Sequence, residues 1–140
     1  MVLVDSSIWI ESARRSGDML CKVALEELLA HAEATFCSPV RLEVLGGAKL
    51  EERRRMSAFL AIVPYVPLTE RHWSRAVELG WKLRDAGHTL PWSDILVAAV
   101  ALDVGCRVYA QDKHFDTMAE VLGLHLYRPG YGGSFDPGIE

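Results

Sequence analysis

The chain opens MVLVDSSIWIE (residues 1–11), and the reading of its first seven residues decides the fold. Four apolar residues, two of them valine, are too few for a helix and read as a short buried strand. Asp5, Ser6 and Ser7 then offer three successive N-cap residues, so the strand is expected to turn straight into a helix, SIWIESARR. Asp5 stands at the junction, an acid at the end of a strand that heads into a core.

The same alternation runs down the chain. DMLCKVALEELLAHAE (residues 18–33) places Leu20, Val23, Ala24 and Leu28 at helical spacing. ATFCSPV (34–40) is a short strand ended by Ser38-Pro39, and PVRLEVLGG (39–47) a helix that begins with proline and stops at Gly46-Gly47. KLEERRRMSAFLAI (49–62) is a helix with a charged face, while VPYVPL (63–68) carries two prolines that fit only a sheet edge or a strand end. TERHWSRAVELGWKLRDAG (69–87) and PWSDILVAAVALDVG (91–105) are two further helices, each with a cap and a closing glycine. CRVYAQD (106–112) is a buried strand ending in an acid, KHFDTMAEVLG (113–123) a helix, and LHLY (124–127) a last strand. Strands of four to six residues alternating with helices require crossover connections, hence an α/β fold with a parallel sheet and helices on both faces. The expected organisation is one domain over residues 1–128 and an irregular Gly/Pro-rich tail over 129–140.

A chain of 140 residues, half of them apolar, buries about two-thirds of its unfolded surface and needs no staple. Cys21, Cys37 and Cys106 are odd in number and widely spaced, which disfavours a disulfide framework or a thiolate zinc site and suits a reduced cytoplasmic protein. Asp5 interrupts the apolar run that a signal peptide would need, and no stretch approaches the ~20 apolar residues of a membrane helix. The net charge of −4 by itself argues against a general polyanion binder.

In open α/β sheets, ligands bind outside the carboxyl ends of the strands. That rule selects Asp5 after the first strand and Asp112 after RVYAQ. Glu43 and Asp94 lie near the N-termini of helices that should face the same edge. Taken singly, each acid also reads as a helix cap or a favourable partner of the helix dipole. Four together repel one another and raise one another's pKa unless a cation neutralises them. An all-oxygen donor set of that density suits Mg²⁺ or Mn²⁺ rather than zinc.

VLVDSSIWI, SPVRLEVLGG, LPWSDILVAAVA and VYAQDKHFD together resemble the PIN domain, and within it the VapC-type ribonuclease toxins of bacterial toxin–antitoxin pairs. Each segment alone is weak, whereas four in the family's order and spacing are specific. The resemblance implies a sheet of order 3-2-1-4-5 and a divalent-metal endoribonuclease site on Asp5, Glu43, Asp94 and Asp112. It places Ser7 where a hydroxyl supports a ligand or the scissile phosphate, and Asp116 where some members carry an extra acid. It also implies a homodimer and a VapB-type antitoxin that blocks the site, docked on an apolar patch of the early helices. One departure is Ala110, where the family usually has Thr or Ser two residues before the fourth acid.

The implied reaction is water attack on an RNA phosphodiester, assisted by Mg²⁺ or by Mn²⁺ in its place, leaving 5′-phosphate and 3′-hydroxyl ends. The four acids account for the entire −4, so the rest of the chain is neutral and its basic residues are free to grip RNA. Arg14, Arg15 and Arg41 are the candidates; Arg53-Arg54-Arg55 reads as a solvated face paired with Glu51 and Glu52. Trp73 and Trp81 are expected in the core, Trp92 to pack or to stack on a base, and His114 to be an exposed loop histidine. GGAK follows a helix rather than a strand and is no phosphate loop. Tyr131 and Phe135 could dock on the domain or on a partner. Phosphoryl transfer through an aspartyl intermediate would need a second acid two positions after Asp5, where Ser7 stands, or a lysine at a late strand end, whereas Lys113 follows an acid in a loop. The remaining alternative is a catalytically silent PIN-like module that binds RNA or protein.

Overall fold

In a computed structural model of the chain, residues 1–138 are described. The elements are β1 (Val2–Val4), α1 (Ser6–Ala13), α2 (Met19–Ala30), β2 (Ala34–Cys37), α3 (Ser38–Gly46), α4 (Arg53–Leu60), β3 (Tyr65–Val66), α5 (Glu70–Asp85), α6 (Trp92–Val104), β4 (Arg107–Tyr109) and α7 (His114–Leu122). A single 3₁₀ turn, Leu50–Glu52, leads into α4, and another, Tyr131–Gly133, lies in the tail.

The strands form one parallel sheet of order β3-β2-β1-β4, with Leu3 opposite both Thr35 and Val108. This is the predicted order for four strands. The fifth is a correction: LHLY contributes only an isolated parallel bridge between Val108 and Leu126, held by Val108 N–H to His125 O at 2.9 Å and Tyr127 N–H to Val108 O at 2.8 Å. The chain turns away at Arg128-Pro129, and proline has no N–H to continue the ladder. β3 is only two residues long, as its flanking prolines dictate, and Pro64 O instead accepts from Phe36 N and Thr35 Oγ1.

β1 and β2 are buried at every position, and α6 is buried from Asp94 through Ala101, the pattern of a helix enclosed on all sides. Trp73 and Trp81 contradict the sequence expectation, being 49% and 64% exposed. Two faces of α5 have helical spacing, and the contact of buried His72 with half-buried Asp103 decides between them: His72 Nε2 lies 3.0 Å from Asp103 Oδ2 of α6. His72 Nδ1 also accepts from Thr69 N–H, closing a capping box. With His72, Leu79 and Leu83 inward, Trp73, Val77 and Trp81 are turned out.

Beyond residue 128, Gly133 packs closely on Leu20 and Val23 of α2, and Phe135 stacks on His31 at 4.5 Å between ring centroids. Tyr131 is fully exposed. The last two residues of the expected tail, Ile139 and Glu140, lie outside the described residues.

Candidate metal centre

Parallel β1, β2 and β4 end at one edge, and the chain after each delivers an acid or a helix that carries one. Asp5 follows β1, and its N–H donates to Tyr109 O at 2.9 Å, so the sheet ladder holds its backbone. Asp5 is also the N-cap of α1: Oδ2 accepts from Ser7 N at 3.1 Å and from Ser7 Oγ at 2.7 Å. The other oxygen, Oδ1, is buried and has no hydrogen-bond partner among the described residues. Capping therefore uses one half of the carboxylate and leaves the other half unpartnered, a costly arrangement unless a cation completes it.

Glu43 sits in the second turn of α3, further along its helix than Asp94 on α6, and its longer side chain reaches back to the cluster. Its Oε2 accepts from Ser6 Oγ at 3.1 Å. Asp94 is the third residue of α6 and is 9% exposed. Asp112 precedes α7, where Oδ1 accepts from His114 N–H at 3.0 Å.

The carboxyls act on one another. Burial pushes Asp5 and Glu43 above the ordinary carboxylate range, with the charge of Asp112 adding to the rise at Asp5 and that of Asp5 at Glu43. Asp94 is pushed up to about 6, chiefly by burial and further by the charges of Asp5 and Asp112, against a lowering hydrogen bond from His114. The charge of Asp5 thus reaches Glu43 and Asp94, and that of Asp112 reaches Asp5 and Asp94, so Asp5, Glu43 and Asp94 resist ionising together.

His114 corrects the sequence expectation of a solitary loop residue. As the first residue of α7 it places Nδ1 2.9 Å from Asp94 Oδ2 and 3.0 Å from Asp112 Oδ1. The signal is present in the Asp112-x-His114 spacing, in which an acid can accept the backbone N–H two residues on and so brings the two side chains together. Asp116 instead pairs with Arg128 at 3.1 Å on the exposed side of α7. Arg14 and Arg15 line a groove of about 710 Å³ that also includes Glu43 and Lys49, a basic residue not singled out from the sequence. Arg41 lies over the Tyr65 ring at 5.5 Å, and Trp92, two residues before Asp94, is 70% exposed rather than packed.

Oxygen donors at this density, with one buried oxygen unpartnered, fit a divalent cation. The PIN-domain family model matches residues 2–121. The chain belongs to the PIN-domain family. This PIN domain is 30% identical over 127 residues to ribonuclease VapC32 of Mycobacterium tuberculosis, spanning 90% of this chain and 96% of that protein. It is 29% identical over 130 residues to ribonuclease VapC11 of the same organism, spanning 89% and 96%. Among solved structures, the FitAcB crystal structure from Neisseria gonorrhoeae aligns with a TM-score of 0.75 at 14% identity, over 91% of this chain and 97% of that one.

Proposed function

We propose that this PIN domain is a divalent-metal-dependent endoribonuclease and the toxin of a VapBC-type toxin–antitoxin pair. The observation that carries the reading is the unpartnered, buried Oδ1 of Asp5, whose charge acts on Glu43 and Asp94 and is acted on by Asp112. Relatives named as VapC ribonucleases, matched along nearly their whole length, support the substrate class.

Asp5, Glu43, Asp94 and Asp112 would hold the cation, Mg²⁺ for an oxygen donor set, with Mn²⁺ as a substitute. When bound, such an ion lowers the pKa of a coordinated water and stabilises charge on a phosphate. The chain's own residues fix the geometry. Ser7 fixes the rotation of the Asp5 carboxylate, and Ser6 holds one oxygen of Glu43. Arg14 and Arg15 lie along the groove that leads to Glu43, where they would contact the RNA backbone. Asp116 is a support residue only after release from Arg128.

The antitoxin reading is supported by an apolar groove of about 390 Å³ between α1, α2 and α4, lined by Trp9, Ala13, Leu25, Leu29, Met56 and Phe59. Such a surface suits the apolar face of a partner helix. The outward stripe Trp73, Val77 and Trp81 supports a homodimer. No described helix is long and apolar enough to cross a membrane. We assign the protein to the cytoplasm on its three buried cysteines and its RNA substrate.

The test is incubation of structured RNA with the purified chain in Mg²⁺, Mn²⁺ or EDTA, beside Asp5→Asn. Internal cleavage by the wild type in metal alone is the expected result. If wild type and variant leave the RNA equally intact in every metal, the silent binding module is the correct reading.

A further inference from the structure

We propose that His114 is a nitrogen ligand of the cation at this centre and shifts its preference from Mg²⁺ towards Mn²⁺. The inference rests on the metal-dependent reading above and extends it from the four acids to a fifth side chain.

The geometry is that of adjacent ligands on one ion. Nδ1 of His114 lies 2.9 Å from Asp94 Oδ2 and 3.0 Å from Asp112 Oδ1, and these three side chains offer donor atoms that all lie within 4.8 Å of one another. Around a six-coordinate ion with ligands at about 2.1 Å, neighbouring donors are about 3.0 Å apart. Hydrogen bonding explains the arrangement less completely. A ring nitrogen carries at most one hydrogen and can give it to one carboxylate, and Asp112 Oδ1 already accepts the backbone N–H of His114. One of the two close approaches to Nδ1 is therefore left without a proton between its atoms. A cation shared by the three atoms satisfies both approaches.

A second observation points to the same ion. Asp5 is 3% exposed, and its Oδ1 has no hydrogen-bond partner among the described residues. The close donor atoms thus come from α6 and the start of α7, at the sheet edge where Asp5 follows β1 with its N–H on Tyr109 O.

The choice of metal follows from the donor type. Mg²⁺ demands hard oxygen ligands and retains its waters, whereas Mn²⁺ shares those oxygen donors but heads the first-row series whose affinity for nitrogen ligands rises towards Cu²⁺. One nitrogen among carboxylates leaves Mn²⁺ well bound and costs Mg²⁺ a ligand of its preferred kind.

The experiment is pulsed EPR on the Mn²⁺-loaded chain, with calorimetric titration of Mn²⁺ and Mg²⁺ into wild type, His114→Ala and His114→Asp. The expected result is ¹⁴N modulation of the bound Mn²⁺ that both substitutions abolish. The ratio of Mn²⁺ to Mg²⁺ affinity should fall about tenfold in His114→Ala, and His114→Asp should restore tight Mg²⁺ binding. Mn²⁺ that binds without nitrogen modulation, with the ratio unchanged in His114→Ala, overturns the role of His114 and leaves the four-acid centre standing. Failure of the wild type to bind either ion overturns the metal centre itself.

Discussion

Ser7 Oγ lies between two chain segments that are 104 residues apart: it donates to Asp5 Oδ2 at 2.7 Å and accepts from Gln111 N–H at 3.1 Å. One hydroxyl thereby ties the end of β1 to the loop that carries Asp112. The side chain of Ala110 can make no such tie, so the link comes from Ser7 across the sheet edge. Ser7→Ala removes both bonds. The expected cost is about 1–2 kcal/mol of stability, read by urea denaturation, together with a roughly tenfold loss of cleavage rate from a loosened Asp5. An unchanged rate at reduced stability would assign Ser7 to folding alone.

Ser6 gives a cleaner separation of position from fold. Its hydroxyl serves Glu43 Oε2, a partly buried carboxylate that keeps a second oxygen for the cation. Ser6→Ala is expected to weaken divalent-metal binding by about tenfold while leaving the thermal midpoint in EDTA within a few degrees of wild type. Calorimetric titration of metal and a thermal scan check the two halves.

Asp94 makes the metal-free protein sensitive to pH. Its folded-state pKa is pushed up to about 6 from an ordinary 3.8, chiefly by burial. At and above pH 6 the folded chain must carry a charge that burial disfavours; below about pH 4 both states hold the proton and the penalty vanishes. Across the window from 3.8 to about 6 the unfolded chain has released the proton and the folded chain has not, so stability falls as pH rises. The full effect is on the order of 2–3 kcal/mol. In EDTA, Asp94→Asn should therefore gain stability on wild type progressively from pH 4 to pH 6 and hold that gain above it. Thermal unfolding at four pH values reads the difference, and a gain that does not vary with pH would contradict it.

The alternation of short apolar runs with helical spacings is enough to place four strands and every helix, because β1, β2 and β4 are almost wholly apolar and the two prolines of VPYVPL leave β3 only the sheet edge. Asp5 and Asp112 are legible because they follow the apolar runs of β1 and β4, and Glu43 and Asp94 because they lie in the first two turns of helices with a marked start. What the sequence does not carry is rotation and reach. Trp73, Val77 and Trp81 have the same spacing as the inward face of α5, and only the pairing of His72 with Asp103 selects between them. His114 looks solitary in the sequence because its partners are an acid two residues away and Asp94, 20 residues away on another helix. LHLY is apolar enough to pair as a last strand, yet Pro129 ends the ladder after one bridge.

The groove beside Glu43 yields the prediction for RNA binding. Arg14 and Arg15 follow the last turn of α1, and Lys49 lines the same groove beside Glu43 and Glu52, so an anionic backbone laid there meets three cations. Arg14 approaches Glu11 at 3.5 Å with both partners partly exposed, a pair weak enough for a phosphate to displace. Replacing Arg14 and Arg15 together by Ala on a catalytically silent Asp94→Asn background should weaken RNA binding about tenfold at low salt. It should also reduce the slope of log affinity against log salt by about 1.4, near 0.7 for each single-strand phosphate that the protein no longer neutralises. Fluorescence anisotropy over a salt series measures both quantities. A loss of affinity with an unchanged slope would mean that the two arginines shape the groove without touching phosphate, and RNA would then have to approach Glu43 from the Trp92 side.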